Sequence, residues 1–162
     1  SAIVGEKDIM DMAQETFISS TFWTERIGFV AALKTIEIMN REKVWEHLIY
    51  IGDLIGQGWL KLADKHDLNI QVTDFKPLIT MNLDYGNLNS ALITLFTQEM
   101  LKRGYLAVPS VYVSYSHTEK IVKKYLNTVD EVFNLLSDSI QSGNVIEKLE
   151  TSIKEEGFKR LN

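Results

Sequence analysis

Leu78-Ile79-Thr80-Met81-Asn82-Leu83 alternates apolar and polar residues, and its reading decides the fold class. Ile79, Met81 and Leu83 fall on one face of an extended chain, Thr80 and Asn82 on the other. That is the pattern of a strand with one face buried. A second extended piece, Asn69 to Asp74, precedes it across the interruption at Lys76-Pro77. Tyr105 to Val108 and Val111 to Ser114 add two short extended pieces around Pro109. A few strands with helices between them predict an α/β chain, α+β in its local layout, with a small antiparallel sheet covered on one face by helices.

Helical periodicity fills the space around these strands. Val44, Leu48, Ile51, Ile55, Trp59 and Leu62 recur at steps of three and four, which predicts a helix over 44–64 with one apolar stripe. Gly52, Gly56 and Gly58 lie inside it, each costing up to about 1 kcal/mol against Ala. They either admit another backbone or mark a kink. Upstream, a helix starting at Glu25 carries apolar residues around much of its circumference and is expected to be largely buried. Asn40-Arg41-Glu42 is its polar break. Leu88 to Arg103 is helical and stops at Gly104. Ser116-His117-Thr118-Glu119 matches a capping box and opens a helix that Gly143 ends. A last helix is expected from Val145 to Glu155. At the other end Ala2 to Val4 reads as a strand, Glu6 to Ala13 as a short helix and Phe17 to Ser20 as extended. The composition changes near Asp67, from helices to mixed strands and helices.

Bulk properties remove several function classes. A net charge of −5, with Lys and Arg in scattered doublets, argues against a nucleic-acid surface. No apolar run reaches the length of a membrane span, and no secretory signal is visible. With no cysteine, disulfides, thiolate metal sites and a Cys nucleophile are excluded, which fits a cytoplasmic protein. The 162 residues suffice for one core or two small packed subdomains. The opening Ser1-Ala2-Ile3-Val4-Gly5 starts as if inside a strand, so a longer polypeptide is expected.

Little in the chain forms a catalytic set. His47, His66 and His117 have no partner at metal-ligand spacing, so no metal site is expected. Asp8 and Asp11 share a helix face that reads as solvated, and Trp59 and Tyr125 sit on apolar stripes as core residues. Gly52 to Gly58 lacks the Lys-Ser/Thr of a phosphate loop, and there is no Gly-x-Ser-x-Gly elbow. The most informative segment is Phe17-Ile18-Ser19-Ser20-Thr21-Phe22-Trp23-Thr24-Glu25-Arg26-Ile27-Gly28. Three adjacent hydroxyls stand among apolar neighbours just ahead of a helix, whose free N–H groups and dipole favour an anion. The same hydroxyls also serve a simple strand-to-helix turn.

That segment, with Ser1 to Gly5 and Lys7-Asp8-Ile9-Met10-Asp11, resembles the region after the cofactor lysine in class III aminotransferases, which use pyridoxal 5'-phosphate (PLP). It is most similar to the glutamate-1-semialdehyde aminomutase-like branch. Val111-Tyr112-Val113-Ser114, His117-Thr118 and Gly157-Phe158-Lys159-Arg160-Leu161 resemble that branch's C-terminal domain and terminus, in the same order. The resemblance implies the C-terminal part of a fold-type I PLP transferase. Residues 1–40 would end the large cofactor-binding domain, 41–66 form a linking helix and 67–162 the small α+β domain. It implies a homodimer acting on a small amino acid or amino aldehyde. Thr21 of one subunit, helped by Ser20, would bind the cofactor phosphate held by the other. Ser20 stands where many relatives have Gly, and Phe29 where a Pro is common. The Schiff-base lysine and the acid that partners the pyridine nitrogen would lie upstream, and Lys7 does not replace that lysine. No catalytic residue is therefore expected within the chain, which would be inactive alone. A non-catalytic dimerisation domain that kept the fold is the alternative. A stand-alone enzyme of unrelated chemistry lacks a catalytic set.

Overall fold

The computed structural model describes residues 4–17, 21–22, 25–155 and 157. The chain divides into two compact units, residues 1–41 and 42–162. Most of the strand read at Ala2 to Val4, and all but Phe17 of the extended piece read at Phe17 to Ser20, lie outside the described residues.

In the first unit, α1 (Lys7–Asp11) runs into a short 3-10 turn, Met12–Glu15, and α2 covers Arg26–Glu42. The expectation that this helix would be buried is not met. None of its described residues is buried, and Ile27, Phe29, Val30, Leu33 and Ile36 are all more than half exposed. An apolar circumference states only that a helix can be covered. Burial needs a second layer. Nor does Asn40-Arg41-Glu42 break the helix, which runs through Glu42. The break comes at Lys43, whose φ of 48° is left-handed.

The second unit holds α3 (Val44–Lys65), β1 (Ile70–Val72), β2 (Leu78–Leu83), α4 (Asn89–Lys102), β3 (Ser110–Tyr112) and α5 (Glu119–Gln141). The strands form an antiparallel sheet in the order β1-β2-β3, with Val72 opposite Met81 and Ile79 opposite Val111. Ile79, Met81 and Leu83 are buried, as their alternation requires. α3 and α4 pack on β2, and α5 packs on both helices. Trp59, Phe96, Phe133 and Leu136 fill the core between them. Each such side chain contributes about 1.5–3 kcal/mol by leaving water. α3 packs on the sheet and on α5, all within the unit of residues 42–162.

The glycines of α3 mark close approach rather than a kink, for the helix is continuous. A Cβ on Gly52 would collide with the backbone carbonyl of Lys76, and one on Gly58 with the side chain of Leu126. One at Gly56 would lie 3.3 Å from Ile79 and Val72. The helix thus accepts the β1–β2 connection and the sheet on one face, at Gly52 and Gly56, and α5 on another, at Gly58.

Two local readings change. Thr118, not Ser116, caps α5: its Oγ1 accepts the Ile121 N–H at 3.3 Å. Val145 to Glu155 forms no α-helix. It makes a turn and then an extended strap laid along α4. Gln98 donates through Nε2 to the Lys148 carbonyl at 3.0 Å and accepts the Glu150 N–H at 2.8 Å. Thr94 Oγ1 accepts the Lys154 N–H at 3.0 Å. Side chains of α4 supply the partners that a helix would have found within itself.

Candidate functional site

Thr21 lies in an exposed turn ahead of α2. Ser20, expected beside it, lies outside the described residues. The turn is tightened by the Glu25 N–H, which donates to the Phe22 carbonyl at 3.3 Å. A helix of 17 residues starts at Arg26, and its first turn contains no acid, although Glu25 stands immediately ahead of it. A hydroxyl, a cation and a helix start are donors of the kind a phosphate accepts. These residues fit such an anion chemically.

Lys7 is exposed and paired with Asp11 one helical turn away, at 2.7 Å. Among the described residues no group of His, Cys, Asp and Glu is arranged to hold a metal. None of the described helices is long and apolar enough to cross a membrane. Trp59 and Tyr125 are core residues, and the indole N–H of Trp59 donates to the Tyr125 hydroxyl at 3.1 Å. Burial pushes the Tyr125 phenol up from its ordinary value.

The histidines are structural ties. His47 Nε2 donates to the His117 carbonyl at 2.9 Å, and its ring meets Tyr115 edge-on. His66 and Lys65, at the end of α3, both bind the Asp130 carboxylate of α5. Lys65 first, and His66 with it, hold Asp130 below the usual carboxylate range. Three further polar ties escaped the sequence reading. Glu99, largely buried, receives Lys102 at 2.9 Å and Arg103 at 2.8 Å. Lys76 reaches Asp53 and Asp74, each at 3.3 Å. Tyr50 donates to Glu119 at 2.8 Å. The spacing of Glu99 to Lys102 and Arg103, three and four along a helix, was a visible signal for the first. Lys76 with Asp53, and Tyr50 with Glu119, join residues distant in sequence and left none.

No protein-family model matches the chain. Among curated proteins it is similar to the 3-aminobutyryl-CoA aminotransferase of Cloacimonas acidaminovorans (strain Evry), 29% identical over 125 residues, 74% of this chain and 30% of that protein. It is also similar to the 2'-deamino-2'-hydroxyneamine transaminase of Streptomyces kanamyceticus, 23% identical over 130 residues, 77% of this chain and 33% of that one. Its curated relatives are aminotransferases. Among solved structures it matches the PLP internal aldimine form of the FumI protein of Sphingopyxis sp. MTA144, with a TM-score of 0.72 and 22% identity, covering 86% of this chain and 34% of that one. The fold, helices with a small antiparallel sheet, is that of the C-terminal part of a PLP transferase. The chain spans about a third of the length of the proteins it matches.

Proposed function

We propose that this chain is the C-terminal portion of a PLP-dependent class III aminotransferase of the glutamate-1-semialdehyde aminomutase-like branch. It works as a cytoplasmic homodimer on a small amino acid or amino aldehyde. The observation that carries this reading is the similarity of about three-quarters of the chain to two aminotransferases. In this reading residues 1–40 close the cofactor-binding domain, 41–66 form the linking helix and 67–162 the small domain.

PLP, when bound, supplies the electron sink for the amino-group chemistry. This chain's own part is to bind and orient. The Thr21 hydroxyl donates to a phosphate oxygen of the cofactor held by the partner subunit, with the Ser20 hydroxyl beside it. The start of α2 adds its dipole. The exposed apolar face of α2 supplies surface for the rest of the assembly.

Borohydride reduction of the complete natural polypeptide, followed by peptide mass sequencing, should find a phosphopyridoxyl label on a lysine upstream of residue 1. No label would end the reading. In the same polypeptide Thr21→Ala should weaken cofactor retention about tenfold, the loss of one hydrogen bond to a charged group. Unchanged retention would remove Thr21 from the site. The exposed face of α2 also favours a second reading, a dimerisation domain without chemistry. A stable dimer with no affinity for PLP or inorganic phosphate would select it.

A further inference from the structure

Past Leu149 the chain changes the way it is held. Val145 is buried and Leu149 packs against the core, but residues 150–155 are all exposed and none joins the hydrophobic core. The strap's ties run to side chains of α4. The Glu150 N–H donates to Gln98 Oε1 at 2.8 Å and the Lys154 N–H to Thr94 Oγ1 at 3.0 Å. Lys102 Nζ donates to the Glu150 carboxylate at 2.7 Å. Few buried apolar contacts and exposed polar ties mark a segment that opens before the core does.

Gln98 is set in place for its part. Its Nε2 faces two acceptors, the Lys148 carbonyl at 3.0 Å and Glu99 Oε1 at 3.1 Å. Reversing the amide would put an oxygen against both. Gln98 thus grips the backbone on either side of Leu149. The Glu99 carboxylate that orients it also receives Lys102, at 2.9 Å. Glu150, Thr151, Ser152 and Lys154 line a cavity of about 690 Å³. Its apolar walls are Ile93, Leu101, Val108 and Pro109.

We propose that residues 150–155 are a hinged strap, which swings from α4 as one unit about Leu149 while the core stays closed. Opening removes one wall of the cavity. Leu149 stays with the core, and the Lys148 carbonyl stays with Gln98. The stretch between Glu150 and Lys154 regains its full conformational freedom only when both ends let go, which couples the two ties. The device lies within residues 42–162 and does not depend on the function proposed above.

The test is amide exchange of the full chain, labelled with nitrogen-15 and read residue by residue by NMR. The Glu150 and Lys154 amides should share one protection factor, at least about a hundredfold below those of Leu95 and Val129 in the core. Thr94→Val removes the acceptor of Lys154 alone, yet should speed exchange at Glu150 about fivefold, the weight of one hydrogen bond. Gln98→Ala should do the same at Lys154, whose own bond it leaves untouched. Val129 should keep its protection in both. If Gln98→Ala loosens Val129 through Glu99, Thr94→Val decides alone, since Thr94 is not bonded to Glu99. Acceleration confined to the amide whose acceptor was removed would overturn the proposal, because the ties would then break one by one. Protection of Glu150 and Lys154 equal to that of Val129 would overturn it too, because the strap would open only with the core.

Discussion

Burial pushes the Glu99 carboxyl up, but hydrogen bonds from Lys102, Arg103 and Gln98 outweigh it and hold the group down to about 2. A carboxylate whose folded value lies below its unfolded one stabilises the fold above the unfolded value. That stability is lost as pH falls through the folded value. Glu99 should therefore contribute about 2–3 kcal/mol at neutral pH, lost between about pH 4.5 and 2. Urea unfolding across that range should show a step in the parent chain that Glu99→Gln lacks. The partners explain why this charge survives burial: Lys102 also reaches Glu150, and Arg103 also reaches Glu131. A carboxylate with several donors keeps its charge where an isolated one would take up a proton.

The elements were legible wherever their determinants are local. The apolar stripe of α3 and the alternation of β2 each carry a period that a single segment reveals, and both formed as read. The expected helix at 145–155 failed for the opposite reason. Its backbone partners, Gln98 and Thr94, stand about fifty residues upstream, beyond the reach of any local pattern. The glycines of α3 were noticed, but the atoms they make room for belong to Lys76, Ile79 and Leu126. Those contacts grade three substitutions. Gly52→Ala should cost about 3 kcal/mol or more, because a backbone carbonyl cannot rotate away. Gly58→Ala should cost less, since Leu126 can change rotamer. Gly56→Ala should be near neutral, its tight contacts offset by a helix-propensity gain of about 1 kcal/mol. Denaturant midpoints with unchanged slopes would check the order.

In the whole molecule, stability should be distributed as burial is. α3, α4 and α5 carry the core, whereas α2 has no buried residue among those described. Amide exchange in this chain should be slowest in the buried turns of α3 and α5 and faster by orders of magnitude through α2. Equal protection along all of them would contradict that. Nothing in the periodicity of α2 told a covered helix from an uncovered one, since both look alike in sequence. Thr21 entered by resemblance, because the contact proposed for it, to a cofactor held by a partner subunit, would leave no spacing within the chain that supplies it. Gly52 has the opposite character, and its meeting with the Lys76 carbonyl reaches beyond the fold into heredity. Every amino acid one base away from a glycine codon carries a Cβ. No single-nucleotide missense change at that codon can restore the room the carbonyl occupies, so drift at this position is closed unless the connection facing it moves first.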